Sequence, residues 1–301
     1  MKVLICDKVS KGAIEKMKNS GLEVDDKQGI TPDELLSIVE NYDVLVVRSA
    51  TKVKKDVIEK AKNLKLIVRG GVGVDNIDVD AAKAKGIEVK NTPKASTESV
   101  AELAIGLIYA LARKISQADR SMKEGKWEKK AFEGIEIGGK TLGIIGIGRI
   151  GQSVAKKAHN LGMNILAYDL LVKDSPLPFV KMVSKEELLK NSDFISLHIP
   201  FDKSSGPTIG EKEFEIIKQG SFIVNVARGG TVDEKALLNA LNSGKIAGAA
   251  IDVFEKEPTD NMELVKHPNT ICTPHIGAST KEGQGRVGDE VAEIIINFSK
   301  K

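Results

Sequence analysis

Three short segments of the sequence carry an arginine, a carboxylate and a histidine directly after apolar, strand-like runs. These residues are Arg228, Glu257 and His275. In open parallel α/β sheets, the loops beyond the carboxyl ends of the strands line the ligand crevice. A guanidinium can pair with a carboxylate and an imidazole can exchange a proton near neutral pH, so these types suit the oxidation of a hydroxyacid. Taken singly, each residue is equally compatible with an ordinary solvated side chain.

A glycine-rich segment after another strand-like run is typical of a dinucleotide site. Gly146, Gly148 and Gly151 have the spacing G-x-G-x-x-G between a strand predicted over 141–146 and a helical pattern. The first glycine permits a tight turn, the second lets the backbone approach a pyrophosphate, and the third lets the helix lie close to the strand. Asp169 ends the next predicted strand, where a carboxylate binds a ribose hydroxyl and repels a 2′-phosphate. The pattern therefore predicts NAD as the cofactor.

A second glycine cluster, at 69–75, also follows a predicted strand, over 65–69. It lacks a third glycine at the dinucleotide spacing, so it is not a second nucleotide motif. Its small residues can expose successive backbone N–H groups that bind a carboxylate or a phosphate. A simple tight turn is an equally good interpretation of this segment when it is considered alone.

The elements that must hold these loops alternate between strand and helix patterns. This alternation predicts parallel sheets with both faces covered. A long helical pattern runs from about 96 to 124. Further strands are predicted at 2–7, 43–49, 87–91, 164–169, 193–198, 221–226, 247–253 and 270–273.

The composition is that of an ordinary globular protein. The chain has 301 residues, of which 41% are hydrophobic and 29% are charged, and this length favours two domains. The net charge of +3, with lysines spread along the chain, does not favour a nucleic-acid partner. Two cysteines cannot form a disulfide framework, the N-terminus lacks a secretory signal, and the longest apolar stretch is too short for a membrane span. We therefore expect a cytoplasmic protein that binds no membrane and no metal.

The sequence resembles the D-isomer-specific 2-hydroxyacid dehydrogenase family in several motifs beyond the glycine turn. These are N-V-A-R-G-G at 225–230, D-V-F-E-K-E-P at 252–258 and P-H-I-G-A-S-T at 274–280. The similarity spans essentially the whole chain and looks greatest to members that act on a phosphorylated 2-hydroxyacid. The chain stops soon after Phe298, so the C-terminal regulatory domains of longer members are expected to be absent.

The resemblance implies an α/β fold in two domains. A flavodoxin-like substrate-binding domain is expected from residues 1–93 plus 275–301, and an inserted Rossmann-type NAD-binding domain from 94–274. A homodimer formed through the long helix after Ser96 is implied as well.

The resemblance also implies catalytic roles. His275 would be the general acid–base, Glu257 would hold its imidazole, and Arg228 would pair with the substrate carboxylate and polarise the C2 oxygen. Asp252 would meet the nicotinamide side of the cofactor.

Two larger sets of residues are implied to bind ligands. The residues implied to bind the substrate provide backbone N–H groups, from the second glycine cluster, for its carboxylate. They also provide a guanidinium for its phosphate. Close relatives often carry a threonine where Val72 stands, so one hydroxyl contact is absent. The cofactor set comprises Gly146, Gly148, Arg149, Ile150, Gly151, Asp169, Val226, Ala227, Asp252, Gly277 and Ala278, and the substrate set comprises Arg48, Ser49, Gly71 and Val72.

Two other functions remain open on these residues. One is another 2-hydroxyacid dehydrogenase, such as a glyoxylate or hydroxypyruvate reductase, because the phosphate contacts are uncertain at the level of sequence. The other is an NAD-sensing binding protein similar to the corepressors of this family. The intact Arg228, Glu257 and His275 argue against a purely sensory role.

Overall fold

The computed structural model describes residues 1–300, which form two compact units. Unit 1 comprises Met1–Thr97 together with the segment from Ala278 onward, and unit 2 comprises Glu98–Gly277. The sequence-based boundaries lie a few residues away, after 93 and after 274. One consequence concerns the site, because His275 belongs to unit 2 and not to the substrate-binding segment to which the sequence assigned it.

The strands of the described residues are three to six residues long. They are β1 (Lys2–Ile5), β2 (Glu23–Asp26), β3 (Val44–Val47), β4 (Leu66–Arg69), β5 (Glu88–Asn91), β6 (Thr141–Ile145), β7 (Asn164–Tyr168), β8 (Val180–Met182), β9 (Phe194–Leu197), β10 (Ser221–Asn225), β11 (Ile246–Ile251) and β12 (Thr270–Cys272).

Helices separate most of these strands. They are α1 (Lys11–Asn19), α2 (Pro32–Ile38), α3 (Lys55–Lys60), α4 (Val79–Ala84), α5 (Thr97–Ala112), α6 (Ile115–Lys123), α7 (Arg149–Asn160), α8 (Lys185–Asn191), α9 (Glu211–Ile216), α10 (Glu234–Asn242), α11 (Met262–Lys266) and α12 (Lys281–Ser299).

Unit 1 contains a five-stranded parallel sheet in the order β2-β1-β3-β4-β5, the flavodoxin-like arrangement. Its central strand β3 is buried along its whole length, and side chains alternate between the two faces. Val44 and Val46 belong to a core shared with α1 and α12, whereas Leu45 and Val47 belong to a core shared with α2, α3 and α4. Burial on both faces explains why such strands are continuous apolar runs.

Unit 2 contains a seven-stranded parallel sheet in the order β12-β11-β10-β9-β6-β7-β8. This order is the Rossmann arrangement with one additional strand. Successive strands are added on one side of β6 up to β8 and on its other side from β9 onward, so the strand order reverses between β6 and β9. Helices α5 and α7 contribute to the core on one face, and α8, α9 and α10 contribute to the core on the other. The predicted α/β architecture with parallel sheets is confirmed.

Two features depart from the sequence-based elements. Strands β2 and β8 were not predicted, and each lies at the edge of its sheet. The long helix predicted over 96–124 is two helices, because Lys114 adopts a left-handed conformation with φ of 50°. The carbonyl oxygen of Ala112 accepts a hydrogen bond from the N–H of Ile135 (2.9 Å), which replaces a partner in a continuing helix.

Candidate active site

Arg228 lies in a tight turn that directly follows β10. The Nδ2 atom of Asn225, which is buried, donates to the carbonyl oxygen of Arg228 (3.2 Å). The hydroxyl of Thr231, also buried, donates to the same oxygen (2.7 Å). The guanidinium donates from Nη1 to the carbonyl oxygen of Ala227 (2.6 Å). Two buried side chains therefore hold the backbone from which the guanidinium projects.

Glu257 and His275 form a hydrogen-bonded pair. The Nδ1 atom of His275 lies 2.7 Å from Oε2 of Glu257. The other carboxylate oxygen, Oε1, accepts a hydrogen bond from the N–H of Phe254 (3.1 Å). Because Nδ1 is engaged by the carboxylate, Nε2 is the ring nitrogen that can exchange a proton with a ligand. This arrangement is suited to general acid–base chemistry.

The surroundings of Glu257 favour its ionised form. Partial burial raises the pKa of this carboxyl, whereas hydrogen bonds from His275 and from the Phe254 N–H lower it, and the charges of His275 and Arg228 lower it further. The net result is a pKa below the usual value. An ionised carboxylate beside Nδ1 fixes the tautomer in which that nitrogen carries the proton.

The turn that carries Arg228 touches the segment that carries Glu257. A Cβ atom on Gly229 would lie 1.8 Å from the carbonyl oxygen of Phe254, so a side chain at this position would force the two backbones apart. The predicted catalytic residues therefore lie on neighbouring segments of unit 2, and glycine is required for their approach.

Asp252 organises the loop on which His275 lies. Its side chain is buried, and its carboxylate accepts hydrogen bonds from the Thr273 hydroxyl (2.6 Å), the Ile276 N–H (2.8 Å) and the Gly277 N–H (2.9 Å). His275 itself has a positive φ of 52°, and its N–H donates to the carbonyl oxygen of Asp252 (2.8 Å). This anchoring role was not predicted from the sequence, and the cofactor contact of Asp252 stays a prediction.

The dinucleotide turn joins β6 to α7 and has little room for side chains. A Cβ atom on Gly151 would lie 2.1 Å from the carbonyl oxygen of Gly146. A Cβ atom on Gly146, whose φ is 95°, would lie 2.7 Å from the carbonyl oxygen of His198. A Cβ atom on Gly148 would meet no protein atom within 4 Å, so this exposed position is open to a ligand. The N-terminus of α7 begins at Arg149, where unpaired N–H groups and the helix dipole suit a pyrophosphate.

Asp169 follows β7 and faces the same turn. Its Oδ2 atom accepts from the N–H of Ile147 (2.9 Å), and its Oδ1 atom accepts from the N–H groups of Leu171 (2.8 Å) and Val172 (3.1 Å). Partial burial raises the pKa of Asp169, but these three hydrogen bonds and the charge of Lys173 lower it to a net value below the usual one. The carboxylate is thus held ionised beside the glycine turn, as the proposed ribose contact requires.

The other predicted cofactor residues lie directly after β10, in the first turn of α7, in the loop after β12 and, for Ala278, in unit 1. Val226 and Ala227 are buried directly after β10, and the Ala227 N–H donates to Oδ1 of Asn225 (3.1 Å). Ile150 lies in the first turn of α7 and packs against the core of unit 2. The N–H of Gly277 donates to the Asp252 carboxylate. Ala278 belongs to unit 1, where its carbonyl oxygen accepts from the Gln284 side chain (2.9 Å).

Arg48 lies at the point where the strand order of unit 1 reverses, directly after β3. The Asp7 carboxylate, which follows β1, accepts from the N–H of Arg48 and from the N–H (3.1 Å) and hydroxyl (2.8 Å) of Thr51. The Nδ2 atom of Asn76 donates to the carbonyl oxygens of Arg48 (2.7 Å) and Thr51 (2.6 Å). Reversal points of this kind are where open α/β sheets bind ligands.

The Arg48 guanidinium is held by several acceptors. Its Nε atom donates to the carbonyl oxygen of Gly70 (3.2 Å), and its Nη1 atom donates to the carbonyl oxygen of Lys8 (3.4 Å) and to Oε1 of Gln284. Burial lowers the pKa of Arg48 and the nearby Asp7 charge offsets part of this, but a guanidinium remains protonated. Ser49, the next predicted residue, is exposed.

The second glycine cluster is covered by an arginine side chain. A Cβ atom on Gly71 would lie 1.8 Å from Nη1 of Arg69, so the guanidinium lies against this glycine. The carbonyl oxygen of the neighbouring Val72 accepts a hydrogen bond from Nδ2 of Asn91. The structure thus brings the guanidinium of Arg69 to the predicted anion-binding residues.

Sequence reasoning missed the residues that hold the site loops in place. Asp7, Asn76 and Thr231 make these contacts through their side chains, and the partners of Asp7 and Asn76 are more than 20 residues away in sequence. The imidazole of His198, which directly follows β9, hydrogen-bonds through Nε2 to the Ser196 hydroxyl (2.9 Å). Burial lowers the pKa of His198 to about 3, so the ring is neutral.

The described residues lack two features that would indicate other functions. Within residues 1–300, no cluster of three or more His, Cys, Asp or Glu side chains has the arrangement of a metal site. No helix in the same range has the length and apolar character needed to cross a bilayer.

Comparison with known proteins identifies the family. Residues 105–277 match the D-isomer specific 2-hydroxyacid dehydrogenase, NAD binding domain. The chain is 52% identical over its whole length to D-3-phosphoglycerate dehydrogenase of Archaeoglobus fulgidus, and the match covers 58% of that protein. It is also 52% identical to hydroxypyruvate reductase of Thermotoga maritima, with 98% of this chain and 97% of that protein covered.

A solved structure agrees with the sequence matches. The D-lactate dehydrogenase of Aquifex aeolicus, complexed with NAD and lactic acid, is 31% identical and has a TM-score of 0.86, with 100% of this chain and 96% of that chain covered. The protein is therefore a member of the D-isomer specific 2-hydroxyacid dehydrogenase family, and unit 2 contains the family's NAD-binding domain. The chain spans somewhat more than half the length of the phosphoglycerate dehydrogenases that it matches.

Proposed function

We propose that the protein oxidises D-3-phosphoglycerate to 3-phosphohydroxypyruvate with NAD, the first step of phosphorylated serine biosynthesis. The observation that carries the proposal is the 2.7 Å hydrogen bond between His275 and Glu257, on a segment that touches the turn of Arg228. The 52% identity to a phosphoglycerate dehydrogenase supports the choice of substrate.

The chemistry divides among three side chains of unit 2. When bound, NAD supplies the hydride-accepting group. His275 takes the proton of the C2 hydroxyl on Nε2, while Glu257 holds the ring through Nδ1 and stabilises the charge that the ring acquires. The guanidinium of Arg228 pairs with the substrate carboxylate and polarises the C2 oxygen as it becomes a carbonyl.

The residues proposed for the acid groups of the substrate lie in unit 1. The backbone N–H of Val72 binds the carboxylate beside the guanidinium of Arg69. The predicted N–H of Gly71 donates instead to the carbonyl oxygen of Arg69 (2.9 Å). Arg48 and Ser49 bind the phosphate. The described contacts of Arg48 use Nε and Nη1, so we assign Nη2 to the ligand. A guanidinium is suited to this role because its donors match phosphate oxygens in pairs.

A second candidate function is the reduction of unphosphorylated hydroxypyruvate or glyoxylate. The observation that favours it is the equal identity to the hydroxypyruvate reductase of Thermotoga maritima, which the chain covers almost completely. The two functions share the chemistry of Arg228, Glu257 and His275 and differ in whether a phosphate is recognised.

The test is a screen of NADH oxidation with a panel of 2-oxoacids. The phosphoglycerate function predicts a kcat/KM for 3-phosphohydroxypyruvate well above that for hydroxypyruvate and glyoxylate. His275→Ala should lower the rate by about 10²–10⁴-fold, the usual cost of a lost general acid–base. Equal values for phosphorylated and plain substrates would end the phosphoglycerate proposal in favour of the reductase. Binding of NADH without turnover of any 2-oxoacid would instead indicate an NAD-sensing protein.

We further propose a cytoplasmic homodimer associated through α5 and the segment that follows it. Ile115, Met122 and Trp127 are 52%, 54% and 80% exposed in the single chain, and such large apolar side chains favour an interface. Sedimentation of the wild-type protein and of Trp127→Glu measures this directly, and a wild-type monomer at micromolar concentration would refute it.

A further inference from the structure

The segment that carries Glu257 begins with the buried residues Asp252, Val253 and Phe254, but its part from Glu255 onward has little packing to hold it. It runs from the end of β11 to the start of α11, and Glu255, Lys256, Glu257 and Pro258 are all exposed. Lys256 forms an ion pair with Asp260, but exposed pairs of this kind contribute little to order. A site of this chemistry needs its carboxylate in one place, so another restraint must act on the segment.

Glu234, the first residue of α10, makes contacts at both ends of this segment. Its Oε1 atom accepts from the N–H of Glu255 (2.7 Å), and its Oε2 atom accepts from Nδ2 of Asn261 (2.7 Å). The bond is reciprocated, because Oε1 of Glu255 accepts from the N–H of Glu234 (3.2 Å). One carboxylate therefore spans the start and the end of the segment in which Glu257 lies.

Glu234 can restrain this segment because it lies on a helix that is itself anchored in the core. Helix α10 is anchored in the core through Ala236, Leu237, Ala240 and Leu241, all buried. The helix N-terminus also favours a negative charge at this position through its unpaired N–H groups and its dipole. The restraint thus passes from a packed helix to an otherwise exposed segment.

We propose that Glu234 is a positioning residue for the Glu257–His275 pair. It ties Glu255 and Asn261 to α10, so that the segment between them presents Oε2 of Glu257 to Nδ1 of His275. Glu234 touches no reacting group in this proposal and acts through the backbone of the segment. The catalytic consequence rests on the proposed dehydrogenase function, whereas the effect on His275 does not.

The experiment compares Glu234→Ala and Glu234→Gln with Lys235→Ala as a matched control on the same helix. Lys235 is exposed and belongs to neither the catalytic nor the binding residues. The side-chain oxygen of the glutamine still accepts from the Glu255 N–H. Its NH₂ group replaces the oxygen that accepts from Nδ2 of Asn261, so the contact to Glu255 is kept and the contact to Asn261 is lost. Two readouts are used: kcat and KM for 2-oxoacid and NADH, and long-range ¹H–¹⁵N spectra of the imidazoles, with the His275 signal assigned from His275→Ala.

We expect Glu234→Ala to lower kcat about tenfold while KM for NADH changes less than about twofold, since misplacement of a catalytic group acts on the chemical step. Its His275 spectrum should lose the pattern of a ring protonated at Nδ1. Glu234→Gln should lie between the wild type and Glu234→Ala in both readouts, and Lys235→Ala should match the wild type.

Wild-type kcat and a wild-type His275 spectrum in Glu234→Ala would overturn the proposal. If that variant does not fold, Glu234→Gln decides, and a glutamine variant identical to the wild type in both readouts refutes it. If the wild-type protein turns over no 2-oxoacid, the dehydrogenase function fails, and the His275 spectra alone decide the role of Glu234.

Discussion

The two glycine turns of this protein follow parallel strands in the same way but are enclosed by different kinds of atoms. In unit 2, Gly146 and Gly151 lie against backbone, at distances that leave no space for a Cβ atom. In unit 1, Gly71 lies against the guanidinium of Arg69, a side chain that can move. The first turn leads directly into α7, whereas the second leads into a loop before α4.

This difference indicates two ways to bind an anion. The turn of unit 2 offers the N-terminus of a helix, whose N–H groups and dipole suit a diphosphate without formal positive charge. The turn of unit 1 lacks a helix and is accompanied by Arg48 and Arg69, which supply charge through side chains. A backbone site should tolerate almost no change in shape, and a side-chain site should lose affinity while the fold persists.

The most severe test of the comparison is Gly151→Ala. The new Cβ atom would lie 2.1 Å from the Gly146 carbonyl oxygen, and backbone cannot yield as a side chain does. Overpacking of this kind costs about 1–3 kcal/mol, which corresponds to roughly 5- to 150-fold in NADH affinity if the turn deforms. Fluorescence titration with NADH and thermal unfolding measure both effects. Gly148→Ala is the control, because its Cβ atom meets no protein atom and should weaken NADH binding without loss of stability.

Acid should affect the nucleotide turn through His198, whose carbonyl oxygen lies beside Gly146. Burial lowers the pKa of His198 to about 3, whereas an unfolded histidine titrates near pH 6.5. The unfolded state therefore binds more protons between these values, and stability falls as the pH decreases from about 6.5 toward 3.

Between pH 7.5 and pH 5, His198 should cost unit 2 about 2 kcal/mol of unfolding free energy. Hydrogen exchange of the β6 and β9 amides measures this, and the pH dependence should weaken by that amount in His198→Gln. An unchanged pH dependence in the variant would show that His198 is not kept neutral by the fold.

In unit 1, Gly71→Ala should reduce function without unfolding the protein, although the φ of 151° at this position strains an alanine and lowers the stability somewhat. The Cβ atom displaces the Arg69 guanidinium, and the loss of one hydrogen bond to a charged group corresponds to an increase of about tenfold in KM for the 2-oxoacid. The dissociation constant of NADH should not change. A variant that also loses NADH binding or unfolds would contradict the distinction between the two turns.

Arg48→Lys should have the smallest effect of the series. Lysine keeps the charge but loses the paired donors, so KM for the phosphorylated substrate should rise by roughly threefold, the value of one ordinary hydrogen bond. The KM for unphosphorylated hydroxypyruvate provides the comparison and should stay constant. Equal increases for both substrates would assign Arg48 to the common carboxylate and not to the phosphate.

The sequence predicted the buried strands and the edge strands β5 and β12, and it missed the edge strands β2 and β8 for a physical reason. Strand β3 is covered on both faces, so its residues, V-L-V-V, form an apolar run that can be recognised locally. Strand β2 is E-V-D-D and strand β8 is V-K-M, because an edge strand is only partly buried and its apolar signal is short. Both segments are recognised as strands only through their pairing with the neighbouring strands β1 and β7.

The same distinction applies to the site: residues in continuous motifs could be predicted from the sequence, and residues whose partners are distant in the sequence could not. The positions of Arg228, Glu257 and His275 were predicted because each lies in a continuous motif at a strand end. The anchors were not, since Asp7 reaches Thr51 across 44 residues and Glu234 reaches Glu255 across 21. Asp252 was assigned to the cofactor, and its hydrogen bonds to the His275 loop appear only once β11 and β12 are paired.

The interrupted path of the chain through unit 1 has a consequence for biosynthesis. Helix α12 supplies Val287, Val291, Ala292 and Ile295 to a core whose other buried members lie between Val3 and Ala95. An emerging polypeptide therefore has every strand of its nucleotide-binding half before the ribosome reaches these residues of α12. Until then the apolar face that α12 covers in unit 1 stays exposed, and such exposed surface favours aggregation of a nascent chain.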